Sequence, residues 1–374
     1  MKKVLDIVPY AFLPYYSGGQ KSIAQFLEWL GKETELTVAG TVTNDWSFAK
    51  NYQTCSLLKR SFFRYFDWSL SKKVSSLVRE NNYDAIIWEH PYFDWLAHRV
   101  KKRTGVQTII HSHNIEYRRF RSNGRWWWPI LRMYEKRCFR RADVLFFISD
   151  EDRDFAITQW KIDTGKCFTI PFGVEVSRFP PDKAGCKNVI AAKHHISAEE
   201  KILLFNGLLD YKPNLEALDI ILHKINPILL SQNSFRYRII ICGKRLPASM
   251  NELKEYADKN IIYAGFVDDI ETYFKGADLF MNPVQTGGGI KTKMVEAIAF
   301  GTTVIATETG AAGINRQVCG NKLSVVPDHD WKSFAGAILQ QANNMAVTPQ
   351  VYYDTYYWGS IVRKAVAAIS MVEN

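Results

Sequence analysis

The run Asn282-Pro283-Val284-Gln285-Thr286-Gly287-Gly288-Gly289-Ile290-Lys291-Thr292-Lys293-Met294-Val295-Glu296 sets three glycines and two lysines between an apolar run and an amphipathic one. A lysine near a helix start opposes the helix dipole. A bound polyanion reverses that sign, because free N–H groups and ammonium groups both hold phosphate oxygens. Glu296 falls about two turns into the helix, where a carboxylate suits sugar hydroxyls. The plain alternative is a flexible glycine loop with solvated charges. A second glycine turn, Tyr15-Tyr16-Ser17-Gly18-Gly19-Gln20, joins a first strand to a helix and suits close backbone approach to an anionic ligand, or a tight turn. It is not GxGxxG, so the dinucleotide fingerprint is missing.

His111-Ser112-His113-Asn114-Ile115-Glu116 follows an apolar run. Two histidines at i, i+2 on a strand face one side and suggest a metal, but the strand is ending and no third ligand stands nearby. A structural role is as good a reading. Glu89-His90 holds the same position after another strand. Asp268-Asp269 could bind a divalent ion; helix capping explains the pair at less cost.

These residues need a frame that ends strands beside helix starts. Lys3–Pro9, Leu36–Thr41, Asp84–Trp88, Gln107–His111 and Asp143–Ile148 read as strands, nearly continuous in apolar residues as strands buried on both faces must be. Helices are expected around 20–31, 68–80, 129–141 and 150–160. The pattern restarts with strands Lys201–Asn206, Arg236–Cys242, Ile261–Tyr263, Asp278–Asn282 and Thr303–Thr307. Helices around 213–224, 250–258, 289–300 and 329–343 accompany them. This is α/β alternation twice over, predicting two doubly wound parallel sheets. The expected division is 1–172, a linker 173–196, 197–351, and a last helical segment 352–374.

The chain has 374 residues, enough for two or three domains, with 47% apolar and 23% charged residues. That excludes long disordered, collagen-like or coiled-coil architecture. The net charge of +10 and an aromatic content of 14% point to an anionic partner. The segment Lys59–Arg141 holds 19 Lys/Arg against 7 Asp/Glu, a net of +12, and six of the eleven tryptophans. Segments 57–73 and 117–141 interleave Arg with Phe, Tyr and Trp, which suits an anionic membrane interface. Nucleic acid is the weaker reading and is not expected as a partner. Six scattered cysteines without metal-ligand spacing point to a reducing compartment. The start, broken by Asp6 and Pro9, reads as a strand rather than a signal segment. With no spanning segment in the sequence, a cytoplasmic protein, peripheral on the inner membrane face, is expected.

The chain resembles the retaining glycosyltransferases of the GT-B fold, in the group 4 family of nucleotide-sugar enzymes, over nearly its whole length. Gly18-Gly19, His113-Asn114-Ile115-Glu116-Tyr117, Tyr134-Glu135, Arg141-Ala142-Asp143 and Ile148-Ser149 are similar to its first-domain landmarks. Ile170-Pro171-Phe172-Gly173-Val174 resembles its interdomain turn. Gly207-Leu208-Leu209-Asp210-Tyr211-Lys212-Pro213-Asn214, Gly265-Phe266-Val267 and Gly287–Glu296 with Ala297-Ile298-Ala299-Phe300-Gly301 resemble the second domain. Two positions depart. The residue eight before Glu296 is Gly288, where the family often has a glutamate, and Leu208 stands where it has an arginine. A triple-glycine subgroup with basic residues at the Lys291 and Lys293 positions looks similar.

The resemblance implies two Rossmann-like domains facing a cleft, with the last helix returning to the first domain. It implies donor binding by Gly207, Lys212, Gly265, Phe266, Val267, Thr286, Gly287, Gly288, Gly289 and Ile290. Gly265–Val267 would lie near the nucleobase, Glu296 at the ribose and Thr286–Lys293 at the diphosphate. His113 would approach the transferred sugar, and His113, Lys291, Lys293 and Glu296 would be the catalytic set. Gly18 and Gly19 would form an acceptor or phosphate loop. No metal and no cofactor are expected. The expected activity is transfer of a hexose-type unit, with retention, from a nucleoside diphosphate sugar to a saccharide or lipid-linked saccharide, in cell-surface polysaccharide or glycoconjugate biosynthesis. The alternative is a catalytically silent GT-B module binding sugar nucleotide or glycan as a scaffold. A dinucleotide oxidoreductase fits the α/β pattern alone.

Overall fold

The computed structural model describes residues 1–122, 124–232, 235–287 and 289–371. The chain forms two compact units: residues 1–173 together with the chain from Trp358 onward, and Val174–Tyr357. The first unit holds seven parallel strands: β1 (Lys3–Ile7), β2 (Glu35–Thr41), β3 (Gln53–Leu58), β4 (Ala85–Glu89), β5 (Gln107–Ser112), β6 (Val144–Phe147) and β7 (Cys167–Thr169). Their order is β3-β2-β1-β4-β5-β6-β7. The second unit holds β8 (Lys201–Asn206), β9 (Tyr237–Cys242), β10 (Ile261–Gly265), β11 (Leu279–Asn282), β12 (Thr303–Thr307) and β13 (Leu323–Val326), in the order β10-β9-β8-β11-β12-β13. All pairs are parallel. The fold class is α/β with two Rossmann-like domains, as the alternation of runs predicts.

Central strands are apolar and fully buried, as both-faced covering by helices demands: every residue of Ala85–Glu89 and of Thr303–Thr307 is buried. In each sheet the winding reverses beside the first strand, between β1 and β4 and between β8 and β11. The carboxyl ends flanking such a reversal splay apart and leave a crevice. Every polar motif singled out above except the Asp268–Asp269 pair and the loop after β10 opens from one of these ends or the strand next to it.

Several elements differ from the sequence reading. β3, β7 and β13 were not expected. Each is a sheet edge, short or half-exposed, without the continuous apolar run of a central strand. The expected linker 173–196 holds the helix Lys183–His194, assigned to the second unit, where Lys183 Nζ donates to Lys275 O at 2.6 Å and Ala277 O at 2.8 Å. Only Ile190 of that helix is buried, so its period is faint. The expected helix at 250–258 is a kinked 3₁₀ stretch with positive φ at Asn251, Glu252 and Leu253. The helix expected from 289 begins at Thr292. The last segment is two helices, Gln350–Tyr356 and Trp358–Ser370, divided between the units at Tyr357. In the first unit Gly173 lies so close to Trp358 that a Cβ there would stand 2.5 Å from its ring. No helix among the described residues is long and apolar enough to cross a membrane.

Candidate functional site

In the second unit the polar motifs gather at the carboxyl ends of β8 and β11. Gly287 and Gly289 take positive φ, +91° and +74°, which lets the loop fold back on itself. Lys291, the N-cap of the helix Thr292–Ala299, fastens that fold: its Nζ donates to Gly287 O at 2.9 Å and Gly289 O at 3.0 Å. Gly288 lies outside the described residues. Lys293, in the first turn, donates through Nζ to two neutral groups, Asn206 O at 3.2 Å and Asn214 Oδ1 at 3.1 Å. Burial pulls the Lys291 ammonium down to about 8. Burial and the neighbouring Lys291 charge pull Lys293 down to about 7. Two half-buried lysines thus stand at the start of the helix Thr292–Ala299, the end of a helix that favours anions.

The rest of the expected donor set surrounds this pair. Thr286 Oγ1 donates to Glu216 Oε2 at 2.9 Å, and Lys212, largely exposed, pairs with Glu216 Oε1 at 3.7 Å. Ile290 is half-buried against Gly313. Glu296 is half-buried in the second turn of the same helix. Gly207, at the end of β8, packs on Asn214 so tightly that a Cβ would stand 2.7 Å from its amide. Gly265 ends β10 with φ +65°, and its carbonyl accepts from Gly243 N at 2.7 Å. Phe266 is exposed with the Lys244 ammonium 3.6 Å from its ring centre, and Val267 is half-buried beside it. These two therefore follow the edge strand β10, which lies two places from β8. Asp269 caps the helix Ile270–Gly276, accepting from Thr272 N, as the capping reading has it.

Four residues here escaped the sequence reading as site candidates. Gly243 follows β9 directly, between Gly207 and Gly265, and a Cβ on it would stand 2.0 Å from Gly207 O. Glu216 joins Lys212 to Thr286. Asn206 Oδ1 and both amide atoms of Gln285 are buried with no hydrogen-bond partner among the described residues. Buried polar atoms without partners are costly, and a polar ligand satisfies them. Single amides and a lone glycine carry no local pattern that would mark them.

In the first unit the site lies on the ends of β1, β4 and β5. Gly18 and Gly19 open the helix Gly18–Glu33, whose N-cap Ser17 forms a reciprocal capping box with Gln20. A Cβ on Gly19 would meet nothing within 4 Å, so packing does not demand glycine there. His113 is buried, and the third group that the sequence reading found missing is Glu89, brought alongside by the β4–β5 register that sets Glu89 opposite His111. Ligand atoms of Glu89, His111 and His113 all lie within 4.8 Å of one another, a spacing that a metal ion could use. Their contacts, however, are mutual hydrogen bonds. His111 Nδ1 meets Glu89 Oε1 at 2.9 Å, and His113 Nε2 makes a short bond to Glu89 Oε2.

Burial pushes the Glu89 carboxyl up, but the two histidines outweigh it and hold it below the usual carboxylate range. Burial lowers His113 more than Glu89 raises it. Asp6, buried on β1, is pushed well up by burial and by the Glu89 charge. Glu89 is thus the carboxyl of the cluster held toward its charged form, while burial favours the neutral forms of His113 and Asp6.

His90 follows Glu89 with φ +70° and ψ 160°, a region almost confined to glycine and costing about 1–3 kcal/mol. Its ring lies between two others, 4.5 Å from His113 and 5.0 Å from Tyr92 at an interplanar angle of 8°. His90 Nε2 meets Tyr10 OH at 2.8 Å. Glu116 takes Tyr92 OH at 2.7 Å and Arg119 Nε at 3.0 Å. Glu135 accepts the backbone N–H groups of Glu116 at 2.7 Å and Tyr117 at 3.1 Å, fixing the start of the helix Glu116–Ser122.

Residues 16–178 match the family described as Glycosyltransferase Family 4, and residues 200–344 match Glycosyl transferases group 1. An uncharacterised 44.6 kDa protein in the cps region of Klebsiella pneumoniae is 24% identical over 160 residues, 41% of this chain and 40% of that protein. The match thus spans less than half of that relative. Sucrose-phosphate synthase from Thermosynechococcus elongatus superposes with TM-score 0.73 at 16% identity, covering 98% of each chain. Anabaena HepE in complex with UDP gives TM-score 0.73 at 14% identity, over 99% of this chain and 100% of that one. WaaG, a glycosyltransferase involved in lipopolysaccharide biosynthesis, gives 0.65 at 14% identity, over 98% and 100%. The fold is GT-B, and a glycosyltransferase family model matches part of each unit.

Proposed function

We propose, for a chain whose two units each match a glycosyltransferase family, that it transfers a hexose-type unit from a nucleoside diphosphate sugar to a saccharide or lipid-linked saccharide, with retention at the anomeric carbon. One observation carries this reading: Lys291 and Lys293 stand together at a helix start, beside amide atoms of Asn206 and Gln285 that are buried without a hydrogen-bond partner among the described residues. Breaking the sugar–phosphate bond leaves growing negative charge on the diphosphate. Preorganised N–H groups and two ammonium groups stabilise that charge without reorganising. The same charge makes a metal and a cofactor unnecessary in this proposal. HepE, which shares the fold, is in complex with UDP and with UDP-glucose, which supports a donor of this class. Glu296 is assigned to the ribose, Gly265–Val267 to the nucleobase and Gly207, Lys212 and Thr286 to donor positioning. His113 is assigned to the transferred sugar. Gly18 and Gly19 are assigned to the acceptor or to a phosphate. Retention rests on the family resemblance.

The acceptor is proposed to be held at a membrane. In the first unit Phe62, Phe63, Phe66, Trp68, Trp126, Ile130 and Met133 are all exposed, Trp126 by 83% and Phe63 by 77%. They lie on two segments, 57–73 and 117–141, that both pack beside Tyr92: the Tyr65 ring is 6.1 Å from it, and Tyr134 OH donates to its carbonyl at 3.0 Å. Exposed aromatics among arginines fit an anionic surface, on the cytoplasmic face of the membrane. The likeness to WaaG supports a role in cell-surface polysaccharide or glycoconjugate synthesis.

Thermal shifts with UDP, GDP, ADP and CMP test the donor site, for the native chain and Glu296→Ala. A nucleotide at ~100 times its dissociation constant stabilises the fold by about 2.7 kcal/mol. One nucleotide is expected to shift the native chain and to lose that shift in the variant. No shift with any of the four contradicts the donor assignment. Binding without turnover of any sugar donor favours the scaffold reading, which Gly288 and Leu208 at the two departing positions also favour.

A further inference from the structure

We propose that Glu89 is a positioning residue that holds His113 as the Nε2–H tautomer, so that His113 meets a bound sugar through Nδ1 as the acceptor of a sugar hydroxyl. The identity of the ligand rests on the glycosyltransferase reading; the tautomer does not.

A carboxylate only accepts hydrogen bonds. Glu89, almost fully buried, has one oxygen on His111 Nδ1 and the other on His113 Nε2. Both rings must therefore turn an N–H toward it. That places the His113 proton on Nε2 and leaves Nδ1 with its lone pair. Two neighbouring rings restrain the buried His113 ring in that orientation, with the centres of His90 and His111 each 4.5 Å from its own. His90 is itself fixed by Tyr10, by the Tyr92 ring and by a backbone conformation that a histidine adopts only under constraint. A nitrogen that keeps its lone pair selects a donor, and the hydroxyl groups of a sugar are donors. An imidazolium in the same place would offer a proton instead and would bind phosphate or carboxylate. The carboxylate thus fixes the polarity of the contact as well as its direction, as the outer carboxylate does for histidines in other polar sites.

The test uses the full chain labelled with nitrogen-15 at histidine. Nuclear magnetic resonance near neutral pH is expected to show His113 neutral with the proton on Nε2, in the native chain and in Glu89→Asp. Glu89→Gln presents one amide oxygen and one N–H, so one of the two rings must give up its tautomer. Donor hydrolysis, read as nucleoside diphosphate released from a sugar-nucleotide panel, is expected to fall about 10-fold or more in Glu89→Gln. Glu89→Asp recovers part of that loss, and the KM for the donor changes little in either. His113 found as the Nδ1–H tautomer or as an imidazolium overturns the proposal. So does one divalent ion per purified chain that Glu89→Gln releases, since the trio is then a ligand set. A loss of turnover matched by an equal loss of folded protein, seen in the thermal melt, also overturns it. If no donor in the panel is turned over by the native chain while the tautomer stands as expected, the glycosyltransferase reading fails and the clamp survives.

Discussion

Lys291 and Lys293 carry ammonium groups into a half-buried loop where burial works against their charge. Both groups are lowered from the ordinary lysine value, so in the nucleotide-free chain they lose their protons as pH rises through about 7 for Lys293 and about 8 for Lys291. A diphosphate prefers both charged. Nucleoside diphosphate affinity is therefore expected to weaken between about pH 7 and pH 9, and binding near pH 7.5 should take up protons. Calorimetry in two buffers of unequal ionisation heat measures that uptake; equal heats and a flat affinity contradict it. The lysines were legible in the sequence because glycine, lysine and glutamate types stand in one continuous run. The Glu89–His113 contact was not. It joins residues 24 positions apart, and only the register of β4 on β5 makes them neighbours. Nothing local distinguishes Glu89 from any acid at a strand end.

At the level of elements, strand ends and helix starts place every group that matters, and the parts that hold helix starts are themselves testable. The helix Glu116–Ser122 begins just beyond His113, and Glu135 supplies acceptors for its first N–H groups. Glu135→Ala leaves two buried donors without partners. A loss of about 1–3 kcal/mol in denaturant unfolding is expected, and an unchanged midpoint contradicts the capping role. Central strands were legible because burial on both faces demands continuous apolar runs, as in Ile202–Phe205 and Val304–Ala306. Edge strands were not: Gln53–Leu58 is largely exposed, and its pairing with β2 comes from backbone hydrogen bonds that any sequence can make. The helix Lys183–His194 was missed for a related reason, since one buried residue sets no period.

At the level of the whole molecule the two units differ in the groups they expose. The first carries the basic and aromatic excess, with Phe62, Phe63 and Trp126 turned outward. Co-sedimentation with anionic vesicles is expected at low salt and should weaken steeply as salt screens the arginines. Phe63→Ser with Trp126→Ser should weaken it further, while binding that ignores salt counts against the surface. The second unit carries the convergent lysines, and the central claim is that they hold the leaving diphosphate. Lys291→Ala with Lys293→Ala, compared with the native chain for nucleoside diphosphate binding and donor turnover, tests this most directly. A folded variant is expected, with nucleotide affinity reduced at least about 10-fold and turnover reduced more, because the charge grows as the bond breaks. Unchanged binding and unchanged turnover in a folded variant would contradict it.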